Sequence, residues 1–140
     1  MSCFKQARRG IPRSKASLLV TGYMVLERKN SNLETGAPTV SIGIPVFNGE
    51  RYLEDALRSV QSQTLGNIEI IVSDNCSTDR SAEIARDYAV TDPRITLHQQ
   101  PLNRGASFNY NFVARLAQAP YFRWHPADDV MMPNLLEHCF

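Results

Sequence analysis

Residues 68–79, with the sequence IEIIVSDNCSTD, decide the fold of this chain. The first six residues are almost continuously apolar, which is typical of a strand that is covered on both faces of a parallel sheet. Asp74 follows this strand directly and opens a polar loop that ends at Asp79. The stretch therefore predicts a buried strand that brings a carboxylate to the edge of a sheet.

Strands and helices are predicted to alternate on both sides of this stretch. Runs rich in β-branched and aromatic residues predict strands over 40–46, 68–73, 95–98 and 121–124. Apolar residues at helical spacing predict helices over 50–63, 81–89 and 106–117. The inner face of the first helix is predicted to be Leu53, Ala56, Leu57 and Val60, and that of the third to be Phe108, Phe112, Val113 and Leu116. The order β-α-β-α-β-α-β predicts an α/β fold with a Rossmann-like, mostly parallel sheet flanked by helices.

Composition excludes several classes of protein. The 140 residues are 43% hydrophobic with a net charge of +1, so there is no basic surplus that would indicate nucleic acid as a partner. No run approaches the roughly 18–20 apolar residues of a membrane-spanning helix. The motifs GxGxxG, GxxxxGK[ST] and GxSxG are absent. The three cysteines, Cys3, Cys76 and Cys139, are widely spaced, which predicts free thiols and a cytoplasmic location.

Charge divides the chain near residue 38. Residues 1–37 contain seven basic and two acidic residues, whereas residues 38–140 contain eight arginines, no lysine and twelve acids. We therefore expect a poorly ordered basic leader over 1–37 and the folded domain over 38–140. The apolar run over 16–26 leaves open a segment that touches a membrane, or a secretory signal.

Four polar clusters follow the predicted strands. They are Asn48, the 74–79 loop, Asn103-Arg104 and Asp128-Asp129. Ligands of open parallel sheets bind outside the carboxyl ends of the strands, so the clusters predict a binding site at one edge. The alternative is that they are turns and helix caps, with Asn48 capping the first helix and Thr78 or Asp79 the second.

Each cluster offers its own chemistry. Asp74 can accept from a nucleobase or a ribose hydroxyl, and Arg104 can neutralise a phosphate. Asp128 and Asp129 supply the oxygen ligands that Mg²⁺ takes together with substrate phosphates. His125 lies three residues before Asp128, but a histidine at a strand end is more often a packing residue.

An ordered series of motifs is similar to a known family. VSIGIPVFNG over 40–49, EIIVSDNCSTD over 69–79, NRG over 103–105 and ADDVMMP over 127–133 together resemble family 2 glycosyltransferases with the GT-A fold. The resemblance covers about residues 38–140. It implies a nucleotide-diphospho-sugar donor and a divalent metal, Mg²⁺ or Mn²⁺.

The resemblance also assigns residues to this site. It places Pro45, Phe47, Asn48, Asp74, Arg104 and Asp128 at the nucleotide-sugar and Asp128 and Asp129 at the metal. The family's D-x-D motif has Pro126 in place of its first acid here, so that one customary carboxylate is missing.

The expected function is metal-assisted transfer of a sugar to an acceptor hydroxyl. The implied acceptor is a saccharide or a lipid-linked molecule used in polysaccharide assembly, near the inner membrane face but without a membrane span in this chain. No residue of the chain is an obvious general base, so we expect a fragment truncated at the C-terminus, with an exposed apolar edge that favours self-association. The alternative is a non-catalytic nucleotide-binding remnant of the same fold. A phosphoacceptor module is a weaker alternative, because no lysine follows Lys29.

Overall fold

The computed structural model describes residues 36–139, so the prediction of a poorly ordered leader over 1–37 falls almost wholly outside the described residues. The strands are β1 (Val40–Val46), β2 (Ile68–Asp74), β3 (Ile95–Gln99) and β4 (Tyr121–Trp124). The helices are α1 (Leu53–Gln61), α2 (Ser81–Thr91), α3 (Ala106–Leu116) and α4 (Leu135–His138). The predicted α/β alternation is confirmed.

The four strands form one parallel sheet in the order β3-β2-β1-β4. Val46 at the end of β1 pairs with Asp74 at the end of β2, which in turn pairs with Gln99 of β3. Three strands therefore end level with one another. β4 ends earlier along the sheet than β1, because its last residue, Trp124, pairs with Gly43 and β1 runs on to Val46.

The face of the sheet under α1 and α2 holds the larger apolar cluster. The four residues predicted for the inner face of α1 are all fully buried; they are Leu53, Ala56, Leu57 and Val60. Leu53, Leu57 and Val60 pack in one cluster with Ile42, Ile44 and Val72 of the sheet and with Ala85 of α2. At roughly 1.5–3 kcal/mol for each buried aliphatic side chain, this face supplies a large part of the stability of the domain.

The opposite face lies under α3, and here the predicted inner face is only partly correct. Val113 is buried as expected, together with Ala114 and Asn109, whereas Phe108 and Phe112 are only half-buried. The helix approaches β1 closely at Gly43, where an added Cβ would lie 2.7 Å from Val113 Cγ2. Because the approach is so close, small side chains occupy the contact and the two phenylalanine rings stack on each other beside it.

The beginning of α1 also differs from the prediction. The helix starts at Leu53 rather than at residue 50, and its first turn has no side-chain cap. Asn48 is therefore not the cap of α1, because its side chain is engaged by another loop.

Two further properties concern the described residues. Cys76 and Cys139 are free thiols, as predicted. None of the helices within residues 36–139 is long and apolar enough to cross a bilayer.

Candidate functional site

A cavity of about 280 Å³ opens at the carboxyl ends of β1 and β2. Pro45 and Phe47, two of the residues predicted to bind the nucleotide, line it. The other lining residues come from the ends of β1 and β2 and from the start of α3; they are Val46, Asn75, Asn103, Gly105, Ala106, Asn109 and Tyr110. Phe47 is 48% exposed, so its ring is available to stack on a planar ligand.

Asn75 holds the far wall of this cavity in place. The residue is 2% exposed, and its Nδ2 donates to Asn103 Oδ1 at 2.9 Å and to the Gly105 carbonyl at 3.3 Å. Its Oδ1 accepts the backbone N–H of Arg104 at 3.1 Å. One buried carboxamide thus fixes three successive residues of the loop between β3 and α3.

Asn109 fixes α3 to the sheet in a similar way. Its Nδ2 donates to the carbonyls of Ser73 at 2.9 Å and Val46 at 3.3 Å, and its Oδ1 accepts from the Ser73 hydroxyl. The Val46 carbonyl also accepts the backbone N–H of Asn75 at 2.9 Å. The floor of the cavity is therefore a fully hydrogen-bonded network of buried polar groups, which makes it rigid.

The loop after β1 and the loop after β2 bind each other directly. The backbone N–H of Asn48 donates to Ser77 Oγ at 2.9 Å, and Asn48 Oδ1 accepts the backbone N–H of Thr78 at 2.8 Å. Asn48 adopts a positive φ of 50°, which turns its side chain toward the second loop. The side-chain oxygen of this predicted nucleotide-binding residue is thus already occupied by the protein.

Asp79 completes the contact between the two loops. Its Oδ2 accepts the N–H of Glu50 at 3.0 Å and its Oδ1 accepts the N–H of Ser81 at 2.9 Å. Burial acts to raise the pKa of Asp79, but the bonds from the Ser81 hydroxyl and from these N–H groups outweigh it and hold the pKa below its ordinary value. The prediction that Thr78 or Asp79 is the N-cap of α2 is wrong, because the cap residue is Arg80 and has no side-chain cap bond. Asp79 lies one residue further out and accepts the N–H of Ser81 from there.

Asp74 lies beneath these loops. It is 2% exposed, and both of its carboxylate oxygens lie 3.3 Å from the backbone nitrogen of Ser77. This geometry is that of a turn stabilised by an aspartate side chain, which is the alternative to ligand binding stated above for Asp74. Contact between Asp74 and a nucleobase stays a prediction.

Arg104 lies at the rim of the cavity. Its guanidinium is 4.2 Å from the centre of the Phe108 ring, which is within the range of a cation–π contact. The side chain is exposed, while its backbone is tied to Asn75. The cation is therefore oriented beside the cavity and open to an anionic ligand.

The acidic pair follows β4 on an exposed loop. Asp128 and Asp129 are both exposed, and neither carboxylate has a hydrogen-bond partner within residues 36–139. Ala127, just before them, lies 3.7 Å from the position that a Cβ on Gly49 would take. This places the acidic loop next to the loop after β1.

His125 begins the acidic loop and is buried, with 1% exposure. Burial, and after it the charge of Arg123, lower the pKa of His125 to about 4. Its Nε2 has no hydrogen-bond partner among the described residues. The imidazole is therefore neutral at pH 7.

The carboxylates of Asp128 and Asp129 fit only a metal site that the substrate helps to complete. No group of three or more His, Cys, Asp or Glu side chains in the described part of the chain is arranged to hold a metal ion. Mg²⁺ and similar cations nevertheless bind through one or two carboxylates when substrate phosphates complete the shell. Two exposed oxygen donors on one loop therefore fit a cation that arrives with a diphosphate, and they do not form a complete site alone.

The structure thus brings most of the predicted residues to one edge, in different roles. Pro45 and Phe47 line the cavity, Arg104 lies at its rim, and Asn48 and Asp74 bind other parts of the protein. Asn75 and Asn109 are the residues that the prediction of the site missed. A signal for Asn109 was available, because it precedes Val113 by four residues and so shares its buried helical face.

Comparison with known proteins agrees with this fold and site. The parallel sheet with its flanking helices defines a Rossmann-like α/β domain, with a cavity and an acidic loop after its strands. The model for glycosyl transferase family 2 matches residues 41–140. The chain belongs to this family.

One relative and two solved structures give the extent of the similarity. An uncharacterised glycosyltransferase of Rickettsia typhi is 38% identical over 104 residues, which are 74% of this chain and 31% of the relative. The mannosyltransferase PcManGT of Pyrobaculum calidifontis, solved with GDP-Man and Mn²⁺, has a TM-score of 0.61 at 27% identity and aligns over 69% of this chain and 29% of its own. TarS of S. aureus (residues 1–349, with UDP-GlcNAc) has a TM-score of 0.67 at 24% identity over 72% of this chain and 30% of its own. The chain thus spans about a third of the length of each of these proteins.

Proposed function

We propose that this domain binds the nucleotide-diphospho-sugar donor of a family 2 glycosyltransferase. The single observation that carries the proposal is the cavity at the carboxyl edge of the sheet, lined by Pro45 and Phe47. Arg104 lies between two further lining residues, Asn103 and Gly105. A nucleobase fits such a cavity because it offers one planar face to Phe47 and polar edges to surrounding amides. The complex of PcManGT with GDP-Man supports this class of ligand.

The residues of the cavity have separate tasks in this proposal. Phe47 stacks on the base, and Arg104, oriented over Phe108, faces the diphosphate. Asn75 keeps the loop that carries Arg104 at a fixed distance from β2. Asn48 and Asp74 act mainly by holding the two adjacent loops, and a shift of the Ser77 loop would be needed before Asp74 reaches a base.

Asp128, with Asp129 beside it, would hold a divalent cation, Mg²⁺ or Mn²⁺, together with the donor. Such a cation stabilises the negative charge that develops on the leaving diphosphate. The Mn²⁺ bound to PcManGT supports this choice of metal. The remaining protein groups orient the donor and cover its base.

Transfer to an acceptor hydroxyl is the activity that we propose for the whole protein. A saccharide or lipid-linked acceptor, a role in polysaccharide assembly, a cytoplasmic location beside the inner membrane and self-association all stay predictions. The alternative is a domain that binds the nucleotide without transferring sugar. It deserves a test because the chain spans only 31% of its Rickettsia relative.

Calorimetric titration of the full chain tests donor binding. UDP, GDP and TDP are titrated with and without Mn²⁺, and we expect at least one of them to bind more tightly with the metal. Asp128→Ala should remove this gain, whereas Asp87→Ala, which removes an exposed carboxylate from α2, should preserve it. Folded protein that shows no metal-enhanced binding of any of the three nucleotides would contradict the proposal.

A second assay separates the two alternatives. The full chain is incubated with UDP- and GDP-sugars, Mn²⁺ and saccharide acceptors, and release of the nucleoside diphosphate is measured. Release above the level of the Asp128→Ala variant supports transfer by this chain. Metal-enhanced binding without release supports the non-catalytic alternative.

A further inference from the structure

Two buried polar side chains, Ser59 in α1 and Gln63 two residues after its end, contact the segment that follows the acidic pair. Ser59 and Gln63 are 7% and 5% exposed, although both carry groups that are costly to bury without hydrogen bonds. Both find partners in the segment 131–136, about seventy residues further along the chain. These contacts belong to neither the cavity nor the contact between the loops after β1 and β2.

Ser59 binds the chain immediately after the acidic pair. Its hydroxyl donates to the Ala56 carbonyl at 2.7 Å, within α1. The same oxygen accepts the backbone N–H of Met131 at 3.0 Å. Met131 is 3% exposed, while Val130 and Met132 on either side are 71% and 69% exposed, so this residue is the one that anchors the chain.

Gln63, two residues after the end of α1, extends the anchor. Its Nε2 donates to the Met132 carbonyl at 2.7 Å and to the Ser59 carbonyl at 3.1 Å. Its Oε1 accepts the backbone N–H of Leu136 at 3.2 Å. The carboxamide thus connects the chain just after α1 to both ends of the segment 132–136.

These anchors determine where the two exposed carboxylates lie. The acidic loop is fixed before the pair by the N–H of His125, which donates to the Gly43 carbonyl at 2.9 Å. It is fixed after the pair at Met131, two residues beyond Asp129. Because neither carboxylate has a hydrogen-bond partner within residues 36–139, the position of the pair follows from its backbone, which the buried His125 side chain also contacts at Asp129.

We infer that Ser59 and Gln63 are positioning residues, which hold Asp128 and Asp129 where a cation and a diphosphate can bind together. This inference rests on the function proposed above. It assigns a role to Ser59 of α1 and to Gln63 just after that helix, which contact neither the cavity nor the carboxylates.

The ratio of two affinities distinguishes positioning from plain stabilisation. A variant that only destabilises the fold lowers the folded fraction, which weakens nucleotide binding by the same factor with and without metal. A displaced acidic loop weakens only the binding that depends on the metal. The quantity to measure is therefore the Kd without Mn²⁺ divided by the Kd with Mn²⁺.

Ser59 and Ser62 provide a matched pair for this test. Both hydroxyls donate to a carbonyl three residues earlier in α1, but only that of Ser59 also accepts from Met131. The full chain and its variants are titrated with UDP and GDP, with and without Mn²⁺. We expect Ser59→Ala to reduce the ratio about fivefold, as loss of one such hydrogen bond predicts, and to leave the Kd without metal within about twofold.

Three further variants test the same prediction. Gln63→Met keeps the length of the side chain and removes its three hydrogen bonds, so we expect a loss of at least the same size. Ser59→Thr keeps the hydroxyl and should restore the ratio, and Ser62→Ala should match the wild type.

Each other outcome overturns the inference. An unchanged ratio in Ser59→Ala and Gln63→Met, or an equal loss with and without metal, overturns it and leaves the proposed function intact. A wild-type chain without any Mn²⁺ effect overturns the proposed function and this inference together.

Discussion

Asn75 and Arg104 lie on different loops, yet Asn75 Oδ1 accepts the backbone N–H of Arg104 at 3.1 Å. Asn75 follows β2, and Arg104 lies just before α3, so the bond joins two walls of the cavity. The guanidinium then rests over Phe108. The direction of the charged side chain therefore depends on a neutral amide that is almost completely buried.

Asn75→Ala should weaken nucleotide binding. Loss of the amide releases the loop over 103–105, and we expect UDP or GDP to bind about tenfold more weakly, with a loss of stability of about 1–3 kcal/mol. Calorimetry and thermal unfolding measure the two effects. Asn67→Ala is the control, because it also removes an amide bond to a backbone carbonyl, that of Ala37, away from the cavity. Equal Kd values for the two variants would contradict the role of Asn75.

Gly43→Ala should destabilise the domain. The new Cβ would lie 2.7 Å from Val113 Cγ2 and 2.8 Å from Phe122 Cζ, so α3 must move away from β1. We expect a loss of about 1–3 kcal/mol in the free energy of unfolding, measured by denaturant titration. Gly66→Ala is the matched control, since nothing lies within 4 Å of its added Cβ. A Gly43→Ala variant as stable as Gly66→Ala would show that the contact between α3 and β1 can relax without cost.

Cys76→Gly should stabilise the domain. Cys76 adopts a φ of 63°, a left-handed conformation that disfavours residues with a Cβ. Glycine removes this strain but loses more backbone entropy on folding. We therefore expect a net gain of about 0.5–1 kcal/mol in the free energy of unfolding. Cys76→Ala removes the thiol but keeps the Cβ, so it should bring no gain in melting temperature. A gain of the same size in both variants would assign the effect to the thiol and not to the backbone.

His125 should make stability depend on pH. Its pKa is lowered to about 4 in the folded chain, against about 6.5 when unfolded. Between these values the unfolded chain binds more protons, so the free energy of unfolding falls as the pH drops from 7 to 4. The contribution of this residue is about 3 kcal/mol.

Denaturant titrations at pH 7.0 and 4.5 measure this effect. His125→Gln should reduce the difference in unfolding free energy between the two conditions. His138→Gln, at an exposed position, should leave it unchanged. The same pH dependence in wild type and His125→Gln would assign the effect to other groups. Asp79 is not one of them, because its pKa is lowered and its contribution disappears only in more acidic solution.

The sequence predicts the strands and α1 well because their patterns are local and strong. IEIIVSD can be buried only as a strand between neighbours, and Leu53, Leu57 and Val60 form one helical face whatever lies opposite. The position of the cavity also follows from the sequence, since parallel strands bring their carboxyl ends to one edge.

The details that the sequence did not predict depend on contacts between distant segments. Asparagine is a residue type that commonly caps helices, and Asn48 lies just before α1. Its side chain instead accepts the N–H of Thr78 from the loop after β2. Asn109 is polar on a helix whose apolar residues suggest an aromatic inner face. It is buried because Gly43 lets α3 approach close enough to reach the Val46 carbonyl. Neither outcome is contained in the local pattern of one element.

The short length of β4 has a consequence for the rate of ligand entry. Its pairing with β1 stops at Gly43, and the N–H of His125 forms the next bond to that residue, after which the chain turns into the acidic loop. β1 continues for three more residues beside β2 alone, so the acidic loop leaves the sheet before β1 ends. A donor that reaches the cavity beyond the ends of β1 and β2 breaks no bond of the sheet. We therefore expect its association to be limited by diffusion and orientation and not by a slow opening of the fold.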